Sequence, residues 1–129
     1  MIAPMAQKIL IVDDDPAVIE YLKTLLGLQG YEIILAADGV QAMEKAMKVK
    51  PDLIILDIMM PGGSGVTVYN RLKQSTLTQK IPIMFLTAMP QDQAREKMPP
   101  PQDQVLILSK PVDQDGFLTT VKAQLKPPA

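Results

Sequence analysis

Five short, near-continuous aliphatic runs separated by stretches of helical periodicity constrain this chain more than any other feature of its sequence. Lys8–Val12 (KILIV), 31–36 (YEIILA), Leu53–Leu56 (LIIL), 81–86 (IPIMFL) and 105–108 (VLIL) largely lack the polar alternation of a half-exposed strand. Runs of that kind suit parallel strands covered on both faces. Between them, apolar residues recur at helical spacing: Val18, Leu22, Leu25 and Leu26; Val40, Met43 and Met47; Val66, Tyr69 and Leu72; Phe117, Val121 and Leu125. The pattern βαβαβαβαβα predicts an α/β fold with a five-stranded parallel sheet. Each parallel crossover is right-handed, so the helices must cover both faces, a doubly wound arrangement. At 129 residues there is room for one such domain.

Local signals mark the boundaries. Asp15 followed by Pro16 predicts an N-cap with proline at the first helical position, Gly30 the stop of that helix, and Asp38-Gly39-Val40-Gln41 a capping-box start. The fourth helix is the weakest: it can begin near Pro90 and Gln91, but Pro99-Pro100-Pro101 must end it after about two turns.

Composition narrows the chemistry. The chain has no histidine and no cysteine, which removes an imidazole base, a phosphohistidine, a thiol nucleophile and a thiolate metal site. Thirteen Lys+Arg against fourteen Asp+Glu give a net charge of −1, and three Tyr with two Phe offer little for base stacking. Neither a nucleic acid nor an anionic membrane is therefore an expected partner. Met1 to Lys8 lacks a signal-peptide pattern, and no apolar run approaches the roughly 18 residues of a membrane span. The expectation is a soluble, cytoplasmic protein whose chemistry runs on carboxylates, lysines and hydroxyls.

In open parallel sheets ligands bind beyond the carboxyl ends of the strands. Those ends carry Asp13 and Asp14, then Asp57, Thr87 and Lys110. A single Asp after a strand is usually a cap or a turn residue, and Pro16 explains Asp15 in that way. Asp13 and Asp14 cannot both be that cap, and the apolar Ile58-Met59-Met60 after Asp57 is poor turn chemistry. Three carboxylates within about 5 Å repel by roughly 3 kcal/mol per pair at an effective dielectric of about 20, so such a site needs a cation or raised pKa values. An all-oxygen ligand set suits Mg²⁺. A divalent cation, a lysine and a threonine hydroxyl without an imidazole base suit stabilisation of a transferring phosphoryl group, which an aspartate can itself accept.

Four segments, in order, resemble the response-regulator receiver domain (CheY-like) of two-component signalling: Ile9-Leu10-Ile11-Val12-Asp13-Asp14-Asp15-Pro16, Asp57-Ile58-Met59-Met60-Pro61-Gly62-Gly63-Ser64-Gly65, Leu86-Thr87-Ala88 and Lys110-Pro111. The resemblance implies a flavodoxin-like (βα)5 fold with strand order 2-1-3-4-5, a receiver domain over residues 8–125, an N-terminal extension over 1–7 and a tail over 126–129. It further implies that Asp57 is the phosphoacceptor, and that Asp14, Asp57 and the backbone carbonyl of Met59 bind Mg²⁺, with Asp13 acting mostly through a bound water. Lys110 would pair with the phosphoryl oxygens, Thr87 would turn its hydroxyl toward them, and the Lys110–Pro111 bond would be cis. The phosphoryl group would come from a sensor histidine kinase, a histidine phosphotransfer protein or a small acyl phosphate. The signal would pass to a further protein by binding or by relay, with at most self-catalysed transfer and dephosphorylation rather than an enzymatic activity.

Two departures stand out. Ile107 occupies a position where many receivers carry an aromatic ring, and Pro99-Pro100-Pro101 replaces the usual approach to the fifth strand. Two other readings compete: a receiver-like binding module that signals without phosphorylation, and a haloacid-dehalogenase-like phosphohydrolase, because Asp13-x-Asp15 imitates its nucleophile motif. The hydrolase needs Asp15 as an acid/base and leaves Asp57 unexplained. The methionines near the site, Met59, Met60, Met84 and Met89, are expected to pack the core, and Lys45, Lys48 and Lys50 to form a solvated helix face.

Overall fold

The computed structural model describes residues 6–60, 63–98 and 105–125. Along the chain run β1 (Lys8–Val12), α1 (Pro16–Gly27), β2 (Glu32–Ala36), α2 (Gly39–Val49) and β3 (Leu53–Leu56). A short hairpin follows, β4 (Met59–Met60) and β5 (Gly63–Ser64), then α3 (Gly65–Gln74), β6 (Ile83–Thr87), α4 (Gln91–Glu96), β7 (Leu106–Ser109) and α5 (Gln114–Gln124). Five strands form one parallel sheet in the order β2-β1-β3-β6-β7, which is 2-1-3-4-5 once the hairpin is set aside. This is the doubly wound, flavodoxin-like architecture.

The aliphatic runs are continuous because each strand feeds two cores. Leu10, Val12, Ile54, Leu56, Ile83 and Phe85 face one side, against Ala42 and Ala46 of α2, Val68 and Leu72 of α3 and Ala94 of α4. Ile9, Ile11, Leu53, Ile55, Met84 and Leu86 face the other, against Leu22, Leu25 and Leu26 of α1 and Phe117 and Val121 of α5. Residues of strict period two thus alternate between two buried layers.

The caps at the start of α1 and α2 form as expected. The Asp15 carboxylate accepts the Ala17 N–H at 3.0 Å with Pro16 in the first turn, and the Asp38 carboxylate accepts the Gln41 N–H at 2.8 Å. The Gln41 side chain, however, accepts the N–H of Ala37 rather than that of Asp38.

Several boundaries and faces differ from expectation. Helix α1 stops at Gly27, not at Gly30; a turn follows in which Gly30, at φ +91°, donates its N–H to the Gly27 carbonyl. Strand β6 begins at Ile83, because Pro82 has no N–H for the ladder and offers only its carbonyl, to Ile54 N–H. Helix α4 closes at Glu96, ahead of the proline triplet, which lies outside the described residues. The buried face of α2 is Ala42 and Ala46 with Met43 at its margin, while Val40 and Met47 are 71% and 42% exposed; the small side chains let the helix backbone approach the sheet. Met84 is buried, but Met59 is 61% exposed and packs no core. Lys45 leaves the solvated face and donates to the Leu35 carbonyl of edge strand β2.

Candidate functional site

The carboxyl end of the sheet gathers its charged groups from strands whose backbones are fixed by the ladder. Asp13 donates its N–H to Ala36 O and Asp57 donates its N–H to Val12 O, so both side chains leave positions held by the sheet. Both residues are buried, whereas Asp14 is exposed. Carboxylate oxygens of Asp13, Asp14 and Asp57 all lie within 4.8 Å of one another.

Lys110 enters from the end of β7. Its N–H bonds to Thr87 O at 2.8 Å, and the Lys110–Pro111 peptide bond is cis. The ammonium lies 2.8 Å from Asp13 Oδ2 and 3.4 Å from Asp57 Oδ2, bridging the two buried carboxylates. The second oxygen of each accepts a backbone N–H: Asp15 to Asp13 at 3.0 Å and Met59 to Asp57 at 3.3 Å.

Burial pushes the Asp57 carboxyl above the usual range; the Lys110 ammonium pulls it down and the Asp13 carboxylate adds to the rise. Burial by itself would lower Lys110, but its hydrogen bond to Asp13 and the charges of Asp57 and Asp13 outweigh that and raise it. With all four groups ionised, three negative charges and one positive leave two uncompensated negatives. One divalent cation matches that charge, and a cluster of carboxylate oxygens is the donor set that hard cations such as Mg²⁺ take.

Thr87 ends β6 fully buried, and its hydroxyl oxygen accepts the Met89 N–H at 3.1 Å, so it turns toward its own loop. Asp15 serves as the α1 cap, the role that competes with an acid/base function in the hydrolase reading. A cleft of about 610 Å³ opens beside Lys110, between α1 and the loops after β6 and β7, with Tyr21, Ala88 and Pro111 on its walls.

The model of the response regulator receiver domain matches residues 9–122 of the chain. This protein belongs to that family. As a receiver domain of two-component signalling, it is 38% identical over 120 residues to the "DNA-binding dual master transcriptional regulator RpaA" of Synechocystis, a match covering 92% of this chain and 49% of the relative. The chain therefore spans about half the length of that regulator. It is 33% identical to the protein PilH of Pseudomonas aeruginosa, covering 92% of this chain and 97% of PilH. The receiver domain of a sensor histidine kinase from Pseudomonas aeruginosa, solved with a magnesium ion coordinated in its active-site cleft, superimposes with a TM-score of 0.84 at 26% identity, covering 94% of this chain and 98% of the other.

One receiver residue with a geometric role was visible only as part of the sequence motif. Gly65, the first residue of α3, donates its N–H to Ile58 O at 2.8 Å. A Cβ there would stand 1.9 Å from the Asp57 carbonyl oxygen and 3.0 Å from Ile58 Cα. The start of α3 thus presses backbone to backbone on the segment that carries Asp57, and only glycine permits that approach.

Proposed function

We propose that this receiver domain accepts a phosphoryl group on Asp57 and signals through the conformational change that follows. The observation that supports the reading most strongly is the Lys110 ammonium set 2.8 and 3.4 Å from two buried carboxylates, inside a cluster of three whose oxygens lie within 4.8 Å.

Asp13, Asp14, Asp57 and the Met59 carbonyl would hold Mg²⁺, with Asp13 acting mostly through a water. When bound, the cation neutralises the cluster and supplies positive charge to the phosphoryl oxygens. A carboxylate oxygen of Asp57 attacks phosphorus in line with the donor's leaving group, forming an acyl phosphate as the donor bond to phosphorus breaks. The chain has no histidine, so the donor is another molecule: the phosphohistidine of a kinase or phosphotransfer protein, or a small acyl phosphate. With a phosphohistidine the electron pair of the P–N bond stays on the departing imidazole, which takes its proton from water. Lys110 turns from its two carboxylates to the new phosphoryl oxygens, and the Thr87 hydroxyl leaves Met89 N–H to donate to one of them.

The signal passes to a further protein by contact or by relay of the phosphoryl group. The chain's own chemistry is limited to self-catalysed transfer and hydrolysis. A net charge of −1 over the whole chain and the lack, among the described residues, of a helix able to cross a membrane support a cytoplasmic domain that itself contacts neither nucleic acid nor lipid.

Intact-mass measurement with Mg²⁺ and acetyl phosphate tests the reading. Wild type should gain one phosphoryl group and Asp57→Asn none. Equal gain by both would overturn the assignment.

A further inference from the structure

The phosphoacceptor chemistry makes no use of the cleft beside Lys110. At about 610 Å³ the cleft has the size of a small-molecule site. Ala17, Val18 and Tyr21 of α1 form one wall, and Ala88, Pro111 and Val112, from the loops after β6 and β7, form the other. Val18 and Val112 also pack against the core on that face of the sheet, so both walls are seated on a fixed layer. The charged residues of the cleft are Asp15 and Lys110. Asp15 is engaged in capping α1, whereas the Lys110 ammonium bridges Asp13 and Asp57. Lys110 therefore borders the acidic cluster and the apolar cleft at once.

The direction of attack makes that adjacency matter. Asp57 is 6% exposed, so phosphorus can reach its carboxylate only from the open end of the sheet. In-line displacement puts the donor's leaving group on the far side of phosphorus, away from the buried floor and at the level of the loops. The chain has no histidine, and so no imidazole acid to protonate that group as it departs. A carboxylate needs none. With an acyl phosphate, the bond from Asp57 oxygen to phosphorus forms as the bond from phosphorus to the acyl oxygen breaks. The electron pair stays on the departing carboxylate, and no proton moves. Beyond its carboxyl group such a donor is hydrocarbon, and the cleft is apolar surface continuous with the site.

We propose that the cleft receives the hydrocarbon chain of a small acyl phosphate, so that this domain takes its phosphoryl group from longer-chain acyl phosphates in preference to acetyl phosphate. The proposal rests on the phosphoacceptor reading above and names the class of small donor that the site favours. Each methylene moved from water fully against an apolar wall favours the bound state about fourfold. The chain stays in the cleft while phosphorus changes partners, so the gain appears in the second-order rate. Tyr21, 46% exposed in the empty cleft, is the wall residue that the chain covers most.

Initial phosphorylation rates of the full chain with Mg²⁺, followed by intact mass at matched, subsaturating acetyl phosphate and butyryl phosphate, test the proposal. The two leaving carboxylates are nearly equal in basicity, so the ratio of rates reads the chain. Butyryl phosphate carries two more methylenes and should react about four- to fifteenfold faster. Ala17→Phe fills the cleft from an exposed position on α1; it should leave the acetyl phosphate rate unchanged and bring the ratio to within about twofold of unity. Binding gives a reading without turnover. 2-Oxopentylphosphonate, which is butyryl phosphate with CH₂ in place of the bridging oxygen, should bind at least about fourfold more tightly than 2-oxopropylphosphonate. It should also shift the NMR methyl signals of Val18 and Val112. A preference that survives in Ala17→Phe, or a bound phosphonate that leaves those methyls unmoved, overturns the proposal. Equal rates from the two donors, with Asp57→Asn inert, overturn it and leave the phosphoacceptor reading standing. No gain from either donor, or equal gain by Asp57→Asn, overturns both.

Discussion

The two halves of the sheet hold their parts of the site in different ways. Asp13 and Asp57 end β1 and β3, each flanked by a strand on both sides, and their own N–H groups extend the ladder. Thr87 and Lys110 end β6 and β7, where β7 is an edge strand and the helix between them has six residues against twelve in α1. Concentrating negative charge costs free energy, and a rigid, doubly buried backbone holds it in place. Lys110 follows an edge strand that is paired on one side only, and Thr87 ends a strand whose loop leads into the shortest of these helices. Under the proposed function the labour divides: the β1–β3 half would fix the charges, and the β6–β7 half would respond to what they bind.

That contrast can be broken by mutation, most severely in the cores. Ile55→Ala should destabilise by about 2–5 kcal/mol in urea unfolding, as a cavity in a well-packed layer does. Leu108→Ala, at a half-buried position on β7, should cost about half as much. Equal losses would erase the mechanical difference between the halves.

Gly65→Ala attacks the fixed half at the site itself. The clash with the Asp57 carbonyl must push α3 or the Asp57 segment aside, costing about 1–3 kcal/mol. Mg²⁺ affinity should fall with it, read by titration. A variant as stable as wild type with unaltered Mg²⁺ affinity would show that the backbone contact positions nothing.

The pH dependence sharpens the account of stored charge. The native Asp57 carboxyl titrates above the unfolded value of 3.8, so between the two the native state binds more protons than the unfolded one. In metal-free buffer its contribution to stability falls as pH rises through that window, and stays lower above it. Asp57→Asn should therefore be more stable than wild type at pH 7 and lose that advantage below pH 3.8. Lys110 has the opposite sense: its native value lies above 10.5, so its contribution is complete below 10.5 and is lost as pH rises through the native value. Denaturation curves across the pH range, without Mg²⁺, read both. A less stable Asp57→Asn at pH 7 would contradict the sign.

The smallest effect is expected at Asp15. Asp15→Ala removes the α1 cap and about 1 kcal/mol of stability, with Mg²⁺ affinity unchanged. A marked loss of Mg²⁺ binding would place Asp15 in the site rather than beside it.

Much of this was legible in the chain. Leu53–Leu56 is found as the strand its unbroken aliphatic run predicts, because a strand buried on both faces must be apolar at every position. Asp38 and Gln41 announced the start of α2 through chemistry only a few residues long. Contacts between distant segments were not legible. The buried face of α2 is one of them: hydrophobicity favours Val40 and Met47, while close packing on the sheet selects Ala42 and Ala46. The reach of Lys45 to Leu35 O, of Gln91 to Ile107 O and the press of Gly65 on Asp57 are set by how helices lie on the sheet. At the site, residue types and order pointed to the acidic cluster, but which carboxylates Lys110 bridges required the fold.

In the proposed function the charges held by β1 and β3 make Asp57, and not its acidic neighbours, the acceptor. Treating the chain with Mg²⁺ and acetyl phosphate, converting any acyl phosphate to a hydroxamate with hydroxylamine and mapping the marked peptide tests it at single-residue resolution. The mark is expected on Asp57, dependent on Mg²⁺ and strongly reduced in Lys110→Ala. A mark on Asp13 or Asp14, or one formed equally well without Mg²⁺, would contradict it.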